Sequence, residues 1–249
     1  MRPGRWIALA ASWCVIGAFV ACDGVPDHAP TLDKLQDGDQ AKASGRWLMS
    51  VPQGLARLDA PPGEAAEVVI GVHGFESEGY EWVQPLKVLS RSGAQVYFFR
   101  WDWTQCPDPA AERLRGAIEE LLKAQPRIAR VRLFGHSYGG VISALVAASW
   151  RLPIPIEVNV VAAPLAGHPR LTEHCTFKGV KPAASGARLK QWRTRKAQDG
   201  AFKDMAADPQ VIELAGSDVV LLPETWQGRR LGHNWSISWV AEQLTSASP

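Results

Sequence analysis

The chain has 249 residues, 46% of them apolar, which fits one α/β domain of ordinary size. Lys and Arg number 27 against 25 Asp and Glu, a net charge of +2 with no basic patch or acidic tail, which argues against a nucleic-acid partner. Gly and Pro are scattered without an internal period, and neither C-x-x-C nor H-E-x-x-H occurs, so neither a repeat architecture nor a motif-type metal site is indicated.

Arg2 and Arg5 precede an apolar run at residues 6–21 that ends in small residues. This pattern predicts an export signal over residues 1–21, and the run is short for a membrane-spanning helix. Phe19-Val20-Ala21-Cys22 resembles a bacterial lipobox, although Phe19 stands where Leu is usual. The resemblance implies a lipidated Cys22 and a membrane tether facing the periplasm; plain secretion is the alternative. Residues 22–45, rich in Asp, Gly, Pro, Lys and Gln, read as a tether, leaving 46–249 as the folded domain. Cys14 lies inside the signal, so beyond Cys22 only Cys106 and Cys175 remain. In an oxidising compartment this pair is expected to form a disulfide, the alternative being two buried thiols.

Within the domain, residues 67–73 predict a buried strand and residues 82–89 a helix. A second strand is expected at 94–101, followed by a helix at 110–124 with Leu114, Ile118, Leu121 and Leu122 on one side. Residues 131–134 form a third strand running into Gly135-His136-Ser137-Tyr138-Gly139-Gly140, then a helix at 141–150 and a fourth strand at 156–161. A further strand at 188–195 is consistent with the pattern despite its cations. Residues 211–222 allow either one broken strand or a hairpin around Ala215-Gly216-Ser217, and residues 235–244 predict a closing helix. The alternation of apolar strands with helices implies an α/β fold, with a mainly parallel sheet covered by helices on both faces.

Gly135-His136-Ser137-Tyr138-Gly139 fits G-x-S-x-G between a strand and a helix. A nucleophile on so tight a turn crowds its neighbours, which favours residues without a Cβ, and the helix N-terminus aims free amides at developing negative charge. On this motif and its context, residues 65–245 resemble the α/β-hydrolase family. His73-Gly74-Phe75 resembles the family's oxyanion element, which implies that the backbone N–H groups of Phe75 and Tyr138 form the oxyanion hole. His73 then shapes the loop rather than transferring protons.

A serine hydroxyl needs a base, and His233, in Leu231-Gly232-His233-Asn234-Trp235 before the last helix, occupies the late-loop position the family uses. The family's chain order of Ser, acid, His leaves two main choices for the acid. Asp199 follows the strand at 188–195, whereas Asp218 lies only 15 residues before His233. Asp199 is the expected acid and Asp218 the runner-up; Asp204 falls in a helical piece, and Asp102 precedes the serine. Only about 25 residues separate the strands ending near 162 and starting near 188, which implies a minimal cap and a shallow site.

These resemblances imply hydrolysis of a small-molecule or lipid carboxylic ester through an acyl-enzyme on Ser137, with no cofactor and no metal. The alternatives are a lipase for long acyl chains and a non-catalytic binding protein on a hydrolase scaffold. Oligomeric state is open.

Overall fold

A computed structural model of the protein describes residues 31–58 and 65–246. The expected export signal, Cys22 and the first part of the tether lie outside the described residues. The strands are β1 (Gly54–Arg57), β2 (Glu67–Val72), β3 (Gln95–Arg100), β4 (Arg130–His136), β5 (Ile156–Val161), β6 (Ala187–Arg193) and β7 (Ser217–Leu221). They form one sheet in the order β1-β3-β2-β4-β5-β6-β7, parallel throughout except for β1, which runs antiparallel to β3. The expected mainly parallel sheet is therefore present.

Alternation along the strands sends side chains to two cores. Val68, Ile70, Val72, Tyr97, Phe99 and Leu133 pack against α3 (Pro107–Ala124) and α4 (Tyr138–Ser149). Val69, Val96, Phe98 and Phe134 pack on the other face against α1 (Ala41–Met49), α2 (Tyr80–Ser90) and α6 (Ser236–Ser246). Gly71 makes room there for Trp82, since a Cβ at Gly71 would come within 2.9 Å of the indole. Each large aliphatic side chain buried this way contributes roughly 1.5–3 kcal/mol.

Three features differ from the expectations. The stretch expected as a tether is not extended in its described part: Leu35 is buried, Ser44 exchanges hydrogen bonds with the Gln36 backbone, and the boundary at 46 falls inside α1. Small residues make the contact, because a Cβ at Gly45 would lie 2.3 Å from the Tyr80 nitrogen. Of residues 211–222, only 217–221 form a strand, β7, at the sheet edge and preceded by a turn with Gly216 at φ +76°. A two-strand ribbon of β8 (Thr225–Trp226) and β9 (Arg229–Arg230) then turns on Gln227 and Gly228, both at positive φ.

The excursion between β5 and β6 holds only the short helix α5 (Pro169–His174), as a minimal cap requires. Cys106 and Cys175 are bonded, with Cα atoms 5.4 Å apart. The bridge joins the residue before α3 to the residue after α5.

Candidate active site

The site begins at the end of β4. Ser137 adopts φ 53° and ψ −123°, a backbone conformation that costs roughly 1–3 kcal/mol for a residue with a side chain. It is held there because its N–H donates to the Val161 carbonyl at 2.9 Å and the chain turns immediately into α4. The glycines make that turn possible. A Cβ at Gly139 would sit 2.0 Å from the Val72 carbonyl oxygen, and one at Gly135 would sit 2.5 Å from the Gly139 oxygen.

The loop after β2 meets this turn from the side. A Cβ on Gly74 would lie 2.9 Å from the Ser137 Cβ, so Phe75 follows at close range. His73 braces the loop: its Nδ1–H donates to the Gly74 carbonyl at 2.9 Å, and its Nε2 accepts the Trp101 N–H at 3.1 Å. A ring so engaged is neutral, and burial pushes its pKa down to about 4. The Phe75 ring contacts Trp103 edge-on, and the Arg170 guanidinium lies 3.8 Å from its centroid. Arg170 and His168 come from the excursion that the disulfide pins, and His168 Nδ1 lies 3.2 Å from the Tyr138 hydroxyl. Burial raises the Tyr138 phenol to about 12, so the hydroxyl keeps its proton at neutral pH.

On the other side, His233 Nδ1 lies 2.9 and 3.0 Å from the two Asp199 oxygens. Asp199 is fully buried, and its carboxylate also accepts the Ala201 N–H at 2.9 Å and the Thr194 hydroxyl at 2.5 Å. These donors and the His233 ring satisfy the buried carboxylate. Nδ1 carries the proton that Asp199 accepts, so the neutral ring keeps its lone pair on Nε2. His136, the residue before Ser137, donates from Nε2 to the His233 carbonyl at 3.0 Å, and the two rings lie 4.6 Å apart. Burial holds His136 well below the usual histidine range, with the neighbouring His233 acting in the same direction. The two ends of the chain's site are thus joined directly.

Ser137 and His233 line one cavity of about 100 Å³, together with Gly74, Phe75, Glu78 and Asn234. The structure brings Ser137, His233, Asp199, Phe75 and Tyr138 to one locality. The remaining aspartates lie elsewhere: Asp218 is exposed on β7 opposite Lys190, Asp204 pairs with Lys203, and Asp102 caps its own turn through Thr104 and Gln105. Sequence reasoning had no role for His136, Thr194 or Gln210. Gln210 receives the Thr194 N–H at 2.9 Å and returns a bond to the Thr194 carbonyl at 3.1 Å, steadying the hydroxyl beneath Asp199.

No curated protein matches the chain. Among solved structures, the chain is similar to Est1E from Butyrivibrio proteoclasticus, with 17% identity and a TM-score of 0.53 over 77% of this chain and 90% of that one. It is also similar to XC6422 from Xanthomonas campestris, described as a serine hydrolase without lid, with 18% identity and a TM-score of 0.50 over 78% and 89% of the two chains. These likenesses concern the fold. The model of the alpha/beta hydrolase family matches residues 69–242, which run from within β2 to within α6. With that match over most of its length, the chain belongs to the α/β-hydrolase family.

Proposed function

We propose that the protein hydrolyses carboxylic esters through an acyl-enzyme on Ser137. The observation that carries this reading is the Asp199–His233 pair, at 2.9 Å, opening onto the same cavity as a serine held at positive φ on a strand-to-helix turn. In this mechanism His233 Nε2 takes the Ser137 proton as Oγ attacks the acyl carbon. Asp199 fixes the tautomer and stabilises the imidazolium that forms. The N–H groups of Phe75 and Tyr138 receive the oxyanion, having been fixed in place before charge appears. His233 then passes its proton to the leaving alkoxide, and a water activated by the same base releases the acid.

The small cavity and the short excursion between β5 and β6 favour modest acyl groups over long lipid chains. The description of XC6422 as lacking a lid accords with that economy.

A fluorophosphonate probe with a panel of p-nitrophenyl esters tests the reading. Wild type labels and turns over, and Ser137→Ala does neither, with a loss of about 10⁶-fold in kcat. A folded wild-type protein that resists the probe and cleaves no ester would leave the binding-protein alternative standing.

A further inference from the structure

Among the described residues, the Phe75 N–H donates no hydrogen bond within the protein. That leaves it free for an oxyanion, but it also means that no acceptor sets its direction beforehand. One edge of its peptide is fixed, because the Gly74 carbonyl accepts the His73 ring N–H at 2.9 Å. The residue on the other side, Glu76, sits at φ 51°, a conformation that a side chain disfavours. The loop therefore does not keep this shape by local preference, and the Phe75 ring is its hold on the surroundings.

That ring meets Trp103 edge-on with centroids 5.0 Å apart and Tyr138 at 5.8 Å, while the Arg170 guanidinium lies 3.8 Å from its centroid. Trp103 follows β3 and Tyr138 opens α4, so both belong to the framework of the sheet. Arg170 reaches across from the excursion between β5 and β6. Its side chain makes no ion pair and donates no hydrogen bond among the described residues, so its place is set by the ring beneath it. A guanidinium over an aromatic face is attracted by the ring quadrupole, and its planar group stacks where an ammonium cannot. The helix that carries it, α5, is itself seated. Leu171 is fully buried, the Ala166 N–H donates to the Pro209 carbonyl at 2.8 Å, and Cys175, directly after the helix, is bonded to Cys106.

We propose that Arg170 is a positioning residue for the oxyanion hole: it holds the Phe75 ring against Trp103 and so keeps the Phe75 N–H aimed where charge develops. The proposal rests on the reading of Ser137 as nucleophile and Phe75 as oxyanion donor. Such a donor acts on the transition state rather than on the bound ester, so losing its aim lowers kcat and spares KM. Removing a donor outright costs about 10²–10³-fold in kcat, and a donor that is only loosened costs less, about 5- to 30-fold.

Two variants test it on a short p-nitrophenyl ester. Arg170→Met keeps the reach and removes the charge, and Arg170→Lys keeps the charge without the planar group. Arg170→Met lowers kcat by about 5- to 30-fold with KM within about twofold of wild type. Ki for an aliphatic trifluoromethyl ketone, whose adduct with the serine carries the oxyanion, rises by a similar factor. Arg170→Lys recovers part of both. Cys106→Ser combined with Cys175→Ser reaches the same contact by another route, giving a smaller loss of the same kind that adds little on top of Arg170→Met. Wild-type kcat and Ki in Arg170→Met overturn the inference. So does a loss confined to KM, a fall in kcat with Ki unmoved, an equal loss in the Met and Lys variants, or a bridge effect that multiplies in full with that of Arg170→Met. In each of these cases the wild type still labels with a fluorophosphonate and turnover still depends on Ser137, so the hydrolase reading stands. A wild type that neither labels nor cleaves the ester removes that reading and this inference with it.

Discussion

The Ser137 turn and the Asp199 loop flank His233 but are held by different physics. Around Ser137, geometry is enforced by exclusion: Gly135, Gly139 and Gly140 stand where any Cβ would strike backbone or packed side chains, at 2.5 Å or less. Around Asp199, geometry is enforced by attraction, through the Ala201 amide, the Thr194 hydroxyl and the His233 ring. Exclusion gives an all-or-none structure, most sharply at Gly139, where the clash cannot be relieved without moving the end of β2. Attraction gives a graded one, in which each donor can be lost separately.

The sharpest break of that contrast is Asp199→Asn, which leaves the fold in place and puts the base in the wrong tautomer. Its expected cost is roughly 10³–10⁴-fold in kcat with little change in KM, while Asp218→Asn leaves both unchanged. Steady-state kinetics on a short ester reads this; equal losses in the two variants would divide the acid's role between them. On the steric side, Gly139→Ala is expected to lose about 3 kcal/mol or more of stability, because its new methyl would lie 2.0 Å from the Val72 oxygen. Urea denaturation measures it, and a midpoint within error of wild type would show that the turn can relax.

The oxyanion loop is set by a third device, a buried neutral histidine, and it makes a pH prediction. The folded protein holds His73 near a pKa of about 4, whereas the unfolded chain binds that proton below the ordinary value of 6.5. The stabilisation is therefore complete above about pH 6.5 and is lost as pH falls toward 4, by about 3 kcal/mol from this residue. His136 acts in the same direction. In His73→Asn, the loss of stability between pH 7.5 and 4.5 shrinks by up to that amount; an unchanged slope would assign the acid limb to other groups. The smallest effect is Thr194→Val, which removes one of the donors to Asp199. It is expected to lower stability by about 1–3 kcal/mol and to cost activity far less than Asp199→Asn.

The same distinction explains what the sequence made visible. Steric demands leave residue-type signatures, so the glycine-flanked Ser137 and the Gly74 loop could be placed on the chain before any coordinates. The apolar strands at 67–73, 94–101 and 156–161 were equally legible, because fully buried parallel strands need continuous Val, Ile and Phe. The support beneath Asp199 was not, since Thr194 and Gln210 are polar residues 16 positions apart that meet only after folding. Helix α1 escaped for the opposite reason: its contact face uses Ser44 and Gly45 as well as Leu48, small and polar residues that continue the tether-like composition before them. The β8–β9 ribbon is two residues wide on each side, too short for any alternation to register.

The bridge between Cys106 and Cys175 spans 69 positions. Closing so long a circuit in the unfolded ensemble is worth about 4 kcal/mol on chain-entropy grounds. The tethered excursion is also the one that sets Arg170 against Phe75. Reduction would therefore release the far end of that excursion and loosen the entrance, while no strand pairing of the sheet runs through the bond.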